Sequence, residues 1–212
     1  MSEFTVNPDR MAAITLKQGA HNGPDDGMCL MEAVSFLTGE EFSDNPKCVS
    51  PVLGTFGRRL NDVLPNDRRQ TLLALIPSLP GTAGDGFDEA RSYMALDWLI
   101  RTYLPTWLEL SPACREDAAR VRELGRIVDM VSAERAGPVV RQAQSTAAAA
   151  GDAARAAAGD AAWDAAWAAA WDAARAAAWD AAGDALQPTV DELQFSAIDL
   201  YAEMIKAPWV LP

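Results

Sequence analysis

Residues 151–186 read GDAARAAAGDAAWDAAWAAAWDAARAAAWDAAGDAL, a four-residue beat of alanine and aspartate that carries Trp163, Trp167, Trp171 and Trp179. Alanine is the strongest helix former, so the stretch predicts a long helix. A beat of four does not match the helical period, and successive tetrad positions drift by roughly 40° around the axis. Trp163, Trp167 and Trp171 therefore make an oblique ridge, with Trp179 roughly 160° away from Trp163. Asp160 and Asp164 drift with them, so acids and indoles interleave instead of separating into two faces. Ridges of residues four apart interdigitate when helices cross at about −50°. Four indoles left in water would form a patch that soluble monomers avoid. The helix is thus expected to pack on the chain's own helices, on a second copy in a homo-oligomer, or on another protein.

The repeat is bracketed by helix signals on both sides. MCLMEAVSFL at 28–37 has helical apolar spacing and Gly39 as a stop. Ser50-Pro51 is a cap followed by a proline in the first turn, opening a helix to about Val63. Asn66 is expected to cap a helix through Ile76, ended by Pro77 and Pro80. A helix over about 88–103 carries Tyr93, Leu96, Leu99, Ile100 and Tyr103 as a core-facing stripe. Ser111-Pro112 opens another, to about Ala136, which Gly137-Pro138 breaks or kinks before the repeat. Pro188 ends the repeat helix, and the spacing of Thr189 and Glu192 suggests a capping box opening a last helix to about Lys206. Residues 11–17 read as a short strand or a helical turn, and nowhere is there a convincing alternating pattern. The fold class is all-α: a compact multi-helix body over 1–140, then 141–212 as the Ala/Trp-rich helix and a C-terminal helix forming a hairpin, expected to pack with the body as one unit. The apolar tail APWVLP is expected to dock.

Charge narrows the function classes. The net charge is −12, divided evenly: 20 acids against 14 bases over 1–140, and 10 against 4 over 141–212, leaving −6 in each part. No basic stripe survives, which disfavours direct binding to nucleic-acid backbone. Three cysteines, Cys29, Cys48 and Cys114, form no disulfide framework and suit a reducing cytoplasm. The first residues lack a signal-peptide pattern, and no apolar run is long enough for a membrane span.

Chemistry converges on one stretch. HNGPDDGMCLME places His21, Asp25, Asp26, Cys29 and Glu32 together, with Cys48 in a following loop. His21 is the sole histidine of the chain, and it restricts acid–base mechanisms accordingly. Imidazole, two thiolates and a carboxylate are acceptable zinc ligands, so His21, Cys29 and Cys48 are the candidate metal set, with Zn the ion they would take. Cys29 and Glu32, three apart on a helix, are the catalytic candidates, and a helix N-terminus beside Cys29 would favour its thiolate. Against these stand the irregular spacings: there is no C-x-x-C and no H-E-x-x-H, and the same residues serve equally as core thiols and a satisfied loop histidine. GTAGDG at 81–86 lacks the Lys and Ser/Thr of a phosphate loop and reads as a connector.

The segments GMCLMEAVSFLTGE, SDNPKCVSPVLGTFGRRLNDVLP and GTAGDGFDEARSYMALDWLIRTYLPTWLEL, together with the Ala/Trp/Asp repeat, resemble a group of uncharacterised proteins of actinobacteria and their phages. The resemblance covers most of the chain and implies a cytoplasmic bacterial or phage protein; it carries no functional residue across. The leading expectation is a non-enzymatic interaction or assembly protein acting through Trp163, Trp167, Trp171 and Trp179. The alternatives are a metal- or thiol-dependent enzyme built on His21, Cys29 and Cys48, and an acidic decoy for a basic partner protein.

Overall fold

The computed structural model describes residues 10–11, 13–165 and 171–206, and side chains among them other than those of 154–183. The fold is all-α. Its helices are α1 (Leu30–Thr38), α2 (Pro51–Val63), α3 (Asn66–Arg69), α4 (Asp88–Trp98), α5 (Leu104–Leu108), α6 (Arg115–Arg122), α7 (Met130–Ala165) and α8 (Trp171–Ile205). Extended pairing among the described residues is a single parallel bridge between Leu16 and Met28. The chain divides into two units, one of 1–95 with 194–212 and one of 96–193.

In the first unit the local rules act as the sequence suggests. Gly39 closes α1 in the left-handed conformation at φ 75°, where a side chain would be strained. Ser50 accepts the Leu53 N–H, and Pro51 takes the first turn of α2, where no N–H is needed. α1 packs on α2 and on a 3₁₀ segment, Gln70–Ser78. Gly57 of α2 permits close approach: a Cβ there would collide with the Tyr201 hydroxyl of α8. Tyr201 stacks on Phe56 at 5.7 Å and donates to the Leu53 carbonyl at 3.2 Å. Along α8, Ala197, Leu200, Tyr201, Met204 and Ile205 are buried.

The expected helix over 66–76 is α-helical only to Arg69. Pro65, not Asn66, occupies the capping position, and the Asn66 side chain accepts from Arg69 instead. Side-chain bonds accompany the change of helix type. Gln70 Nε2 claims the Asn66 carbonyl and Thr71 Oγ1 the Arg68 carbonyl, acceptors that an α-helical ladder would otherwise use.

The second unit departs further from expectation. Past Trp98 the helix widens into a π-turn, Leu99–Tyr103, before α5. Pro105 has no N–H to continue an i→i−4 ladder, and the Leu104 N–H reaches back to Leu99. The turn rotates the expected stripe: Leu99 is 47% and Tyr103 41% exposed. Ser111 makes no side-chain cap, and the helix that follows stops at Arg122. A new helix begins at Met130, where Asp129 Oδ1 accepts the Ser132 N–H and Ser132 Oγ the Asp129 N–H. The core of this unit joins Leu108, Cys114, Ala118 and Val121 to Ala143, with Val139, Ala147 and Ala150 against it.

That alanine stripe explains why Gly137-Pro138 does not interrupt α7, which runs for 36 residues through Pro138. A proline in mid-helix costs about 3 kcal/mol, and the packing of the turns around the exposed Pro138 offsets this. Pro188 likewise lies inside α8, so Thr189 and Glu192 do not form a helix-opening capping box. Trp163, Trp167, Trp171 and Trp179, and the tail APWVLP, lie outside the described side chains and residues; the backbone of the repeat is helical to Ala165 and again from Trp171.

Candidate functional site

The stretch 16–32 is held by side chains from several elements. Gln70 bonds both the N–H and the carbonyl of Leu16, at 2.9 Å each. Asp62 accepts the Gly19 N–H at 2.9 Å. Asn61, fully buried, accepts from Leu30 N–H and donates to the Lys17 carbonyl. The two ends of the loop meet where Lys17 N–H donates to the Met28 carbonyl at 2.8 Å.

Inside this frame His21, Cys29 and Glu32 come together. Cys29 caps α1: its sulfur accepts the Glu32 N–H at 3.5 Å while Glu32 Oε2 accepts the Cys29 N–H at 2.7 Å. This is a capping box with sulfur where serine or threonine would ordinarily stand. Glu32 Oε1 also accepts the His21 N–H at 2.7 Å, and Oε2 the His21 Nδ1–H at 2.8 Å. The carboxylate is 1% exposed. Burial pushes its pKa up, but the hydrogen bonds from Cys29 and His21 outweigh that and hold it below the ordinary glutamate value. The hydrogen bond at Nδ1 orients the imidazole and leaves Nε2 without a hydrogen bond among the described residues.

The thiols behave differently from the expectation of an activated cysteine. Burial, with the Glu32 carboxylate beside it, pushes Cys29 up to about 12. The helix N-terminus does not overcome these, and Cys29 is a neutral cap. Cys48 is paired with a different carboxylate: Glu40 accepts the N–H groups of Lys47 and Cys48 at 2.6 and 3.0 Å. Burial and the hydrogen bond to Glu40 push the Cys48 thiol up to about 12 as well. Cys114 is buried in the core of the second unit. Among the described residues no three His, Cys, Asp or Glu side chains are arranged to hold a metal ion.

A second buried charge centre was not legible as such. Arg91 is fully buried and donates to Asp85 at 2.8 and 2.6 Å and to the Met204 carbonyl at 3.0 Å. The GTAGDG connector supplies Asp85 for this purpose. Burial raises the Asp85 pKa, and Arg91 more than reverses it. Asp88 meets Arg91 at 3.4 Å and takes the Ser50 hydroxyl, tying two helix starts together. The spacing Asp85, Asp88, Arg91 on one side of a helix start was the available clue. Nothing local showed that the arginine is buried.

Elsewhere, a groove of about 540 Å³ between α2 and α4 is lined by Val52, Phe56, Arg59 and Ala95, among others, and includes none of His21, Cys29 or Glu32. No helix among the described residues is long and apolar enough to cross a membrane. The chain matches no protein-family model, no curated protein and no solved structure.

Proposed function

We propose that the protein is a non-enzymatic interaction or assembly protein that self-associates through the helix bearing Trp163, Trp167, Trp171 and Trp179. The supporting observation is the course of α7. Its helical backbone is continuous from Met130 to Ala165, and so carries the start of the repeat on the same helix that packs in the second unit. A helix of 36 residues spans about 54 Å. The segment past Ala150 carries Trp163, and oblique ridges with intervening alanines suit close helix–helix contact. Light scattering on the intact chain tests the reading. The native protein is expected to be an oligomer, and the variant with Trp163, Trp167 and Trp171 replaced by alanine a folded monomer. A native monomer at high concentration would defeat self-association.

A second reading has one observation in its favour. The Glu32-oriented imidazole of His21 has the arrangement by which a carboxylate prepares a histidine as base or ligand. Metal- or thiol-dependent chemistry at His21, Cys29 and Cys48 would then require Cys48 to leave Glu40. Elemental analysis of the purified protein, with His21→Ala as control, distinguishes it: stoichiometric zinc lost in the variant would favour this reading over assembly alone.

A further inference from the structure

We propose that Asn22–Gly23 is a self-modification site, at which the chain converts Asn22 to isoaspartate. The Gly23 nitrogen attacks the Asn22 side-chain carbonyl carbon, giving up its proton to solvent base. The Cγ–N bond breaks, and the side-chain nitrogen leaves as ammonia with a proton from solvent. Water then opens the resulting succinimide at either carbonyl, giving aspartate or an isoaspartate whose main chain runs through the former side chain.

The structure leaves this pair open and guards its competitors. Asn22 is exposed, and neither its side chain nor the Gly23 N–H is hydrogen-bonded among the described residues. Gly23 lies in extended backbone at φ −178°, with nothing within 4 Å of where a Cβ would stand. Asn45 is followed by proline, whose nitrogen has no proton to lose. Asn61 is fully buried and bonded on both sides of its amide. Asn66 accepts from Arg69 within a helical turn. The two aspartate–glycine pairs are also engaged: the Gly27 N–H donates to the Pro24 carbonyl, and the Asp85 carboxylate is held by Arg91.

Position gives the modification a consequence. Asn22 follows His21, which is held twice by Glu32, and the loop's ends are fixed by the Lys17–Met28 bond. An isoaspartate adds a backbone methylene inside a closed loop, and a new carboxylate near Asp25 and Asp26. The loop must then shift, and the hold of Glu32 on His21 weakens. The product also has the chemistry recognised by isoaspartyl carboxyl methyltransferases.

The test is ageing of the intact chain at neutral pH, followed by peptide mass spectrometry and enzymatic methyl labelling of isoaspartate. Modification is expected at Asn22 ahead of Asn45, Asn61 and Asn66, with Gly23→Ala suppressing it while leaving the initial Tm unchanged. The aged protein is expected to lose about 3–8 °C in Tm, the scale of weakening one or two hydrogen bonds to a charged group in a chain this long. Asn22→Asp, which adds the charge without lengthening the chain, should retain the native Tm. Equal modification in Gly23→Ala, or none at Asn22 in the native chain, would overturn the site. An equal loss of Tm in Asn22→Asp would overturn the proposed effect of chain length.

Discussion

Replacing Glu32 by alanine should cost more than any other single change in the stretch 16–32. The side chain is 1% exposed and accepts from Cys29 N–H, His21 N–H and His21 Nδ1–H, all within 2.8 Å. Hydrogen bonds to a charged group contribute about 1.5–3 kcal/mol each, and removing the acceptor also strands donors that folding has taken from water. Two of the three donors are main-chain groups that cannot turn elsewhere. Allowing for overlap among bonds to one carboxylate, a loss of about 3–6 kcal/mol is expected, against a typical total of about 5–15 kcal/mol. Glu32→Gln keeps the shape but turns an NH₂ toward one set of donors, and should fall between the two. Urea unfolding followed by amide exchange in α1 measures this. The pH dependence provides a second reading of the same contact. Because the folded pKa of Glu32 is depressed, its contribution is present above the unfolded glutamate value of about 4.3 and is lost as pH falls through the folded pKa. The native protein should therefore lose stability on acidification faster than Glu32→Ala. A loss below about 1 kcal/mol in the alanine variant, the worth of one ordinary hydrogen bond, would refute the role of the carboxylate as the anchor of the loop. So would parallel acid profiles of the two proteins.

Two further outcomes follow from buried groups. Arg91→Met should destabilise the first unit by about 3–5 kcal/mol, the usual cost of removing one partner of a buried ion pair; Asp85→Asn in the same background should add little, and full additivity by denaturant unfolding would contradict their pairing. Cys29 and Cys48, each with its thiol pushed up to about 12, should be alkylated by iodoacetamide in the folded protein far more slowly than a free thiol of about 8.5. Rapid labelling of Cys29 at neutral pH, read by mass spectrometry, would restore it as a nucleophile.

Much of the first unit was legible because its determinants are local. Ser50-Pro51 specifies a helix start through two neighbouring residues, and Gly39 specifies a stop through its own φ. The candidate cluster was legible by proximity alone: His21, Cys29 and Glu32 do converge, whereas Cys48 goes to Glu40. Spacing could indicate that Cys29 and Glu32 share a helix face. It could not indicate that the sulfur would act as a cap, because that depends on where α1 begins. The Asp129 and Ser132 pair, which opens α7, is a local cap signal three residues apart, whereas Ser111 before Pro112 makes no side-chain cap.

By itself, the sequence determined the all-helical class, through alanine content and helical apolar spacing. Tertiary structure decided where helices continue or change type. α7 passes Pro138 because Val139, Ala143, Ala147 and Ala150 bury against Leu108, Cys114, Ala118 and Val121, a contact no local rule contains. It decided ionisation for the same reason. Whether Cys29 is a thiolate, and whether Arg91 is a surface charge or a buried pin, depends on water excluded by residues distant in the chain.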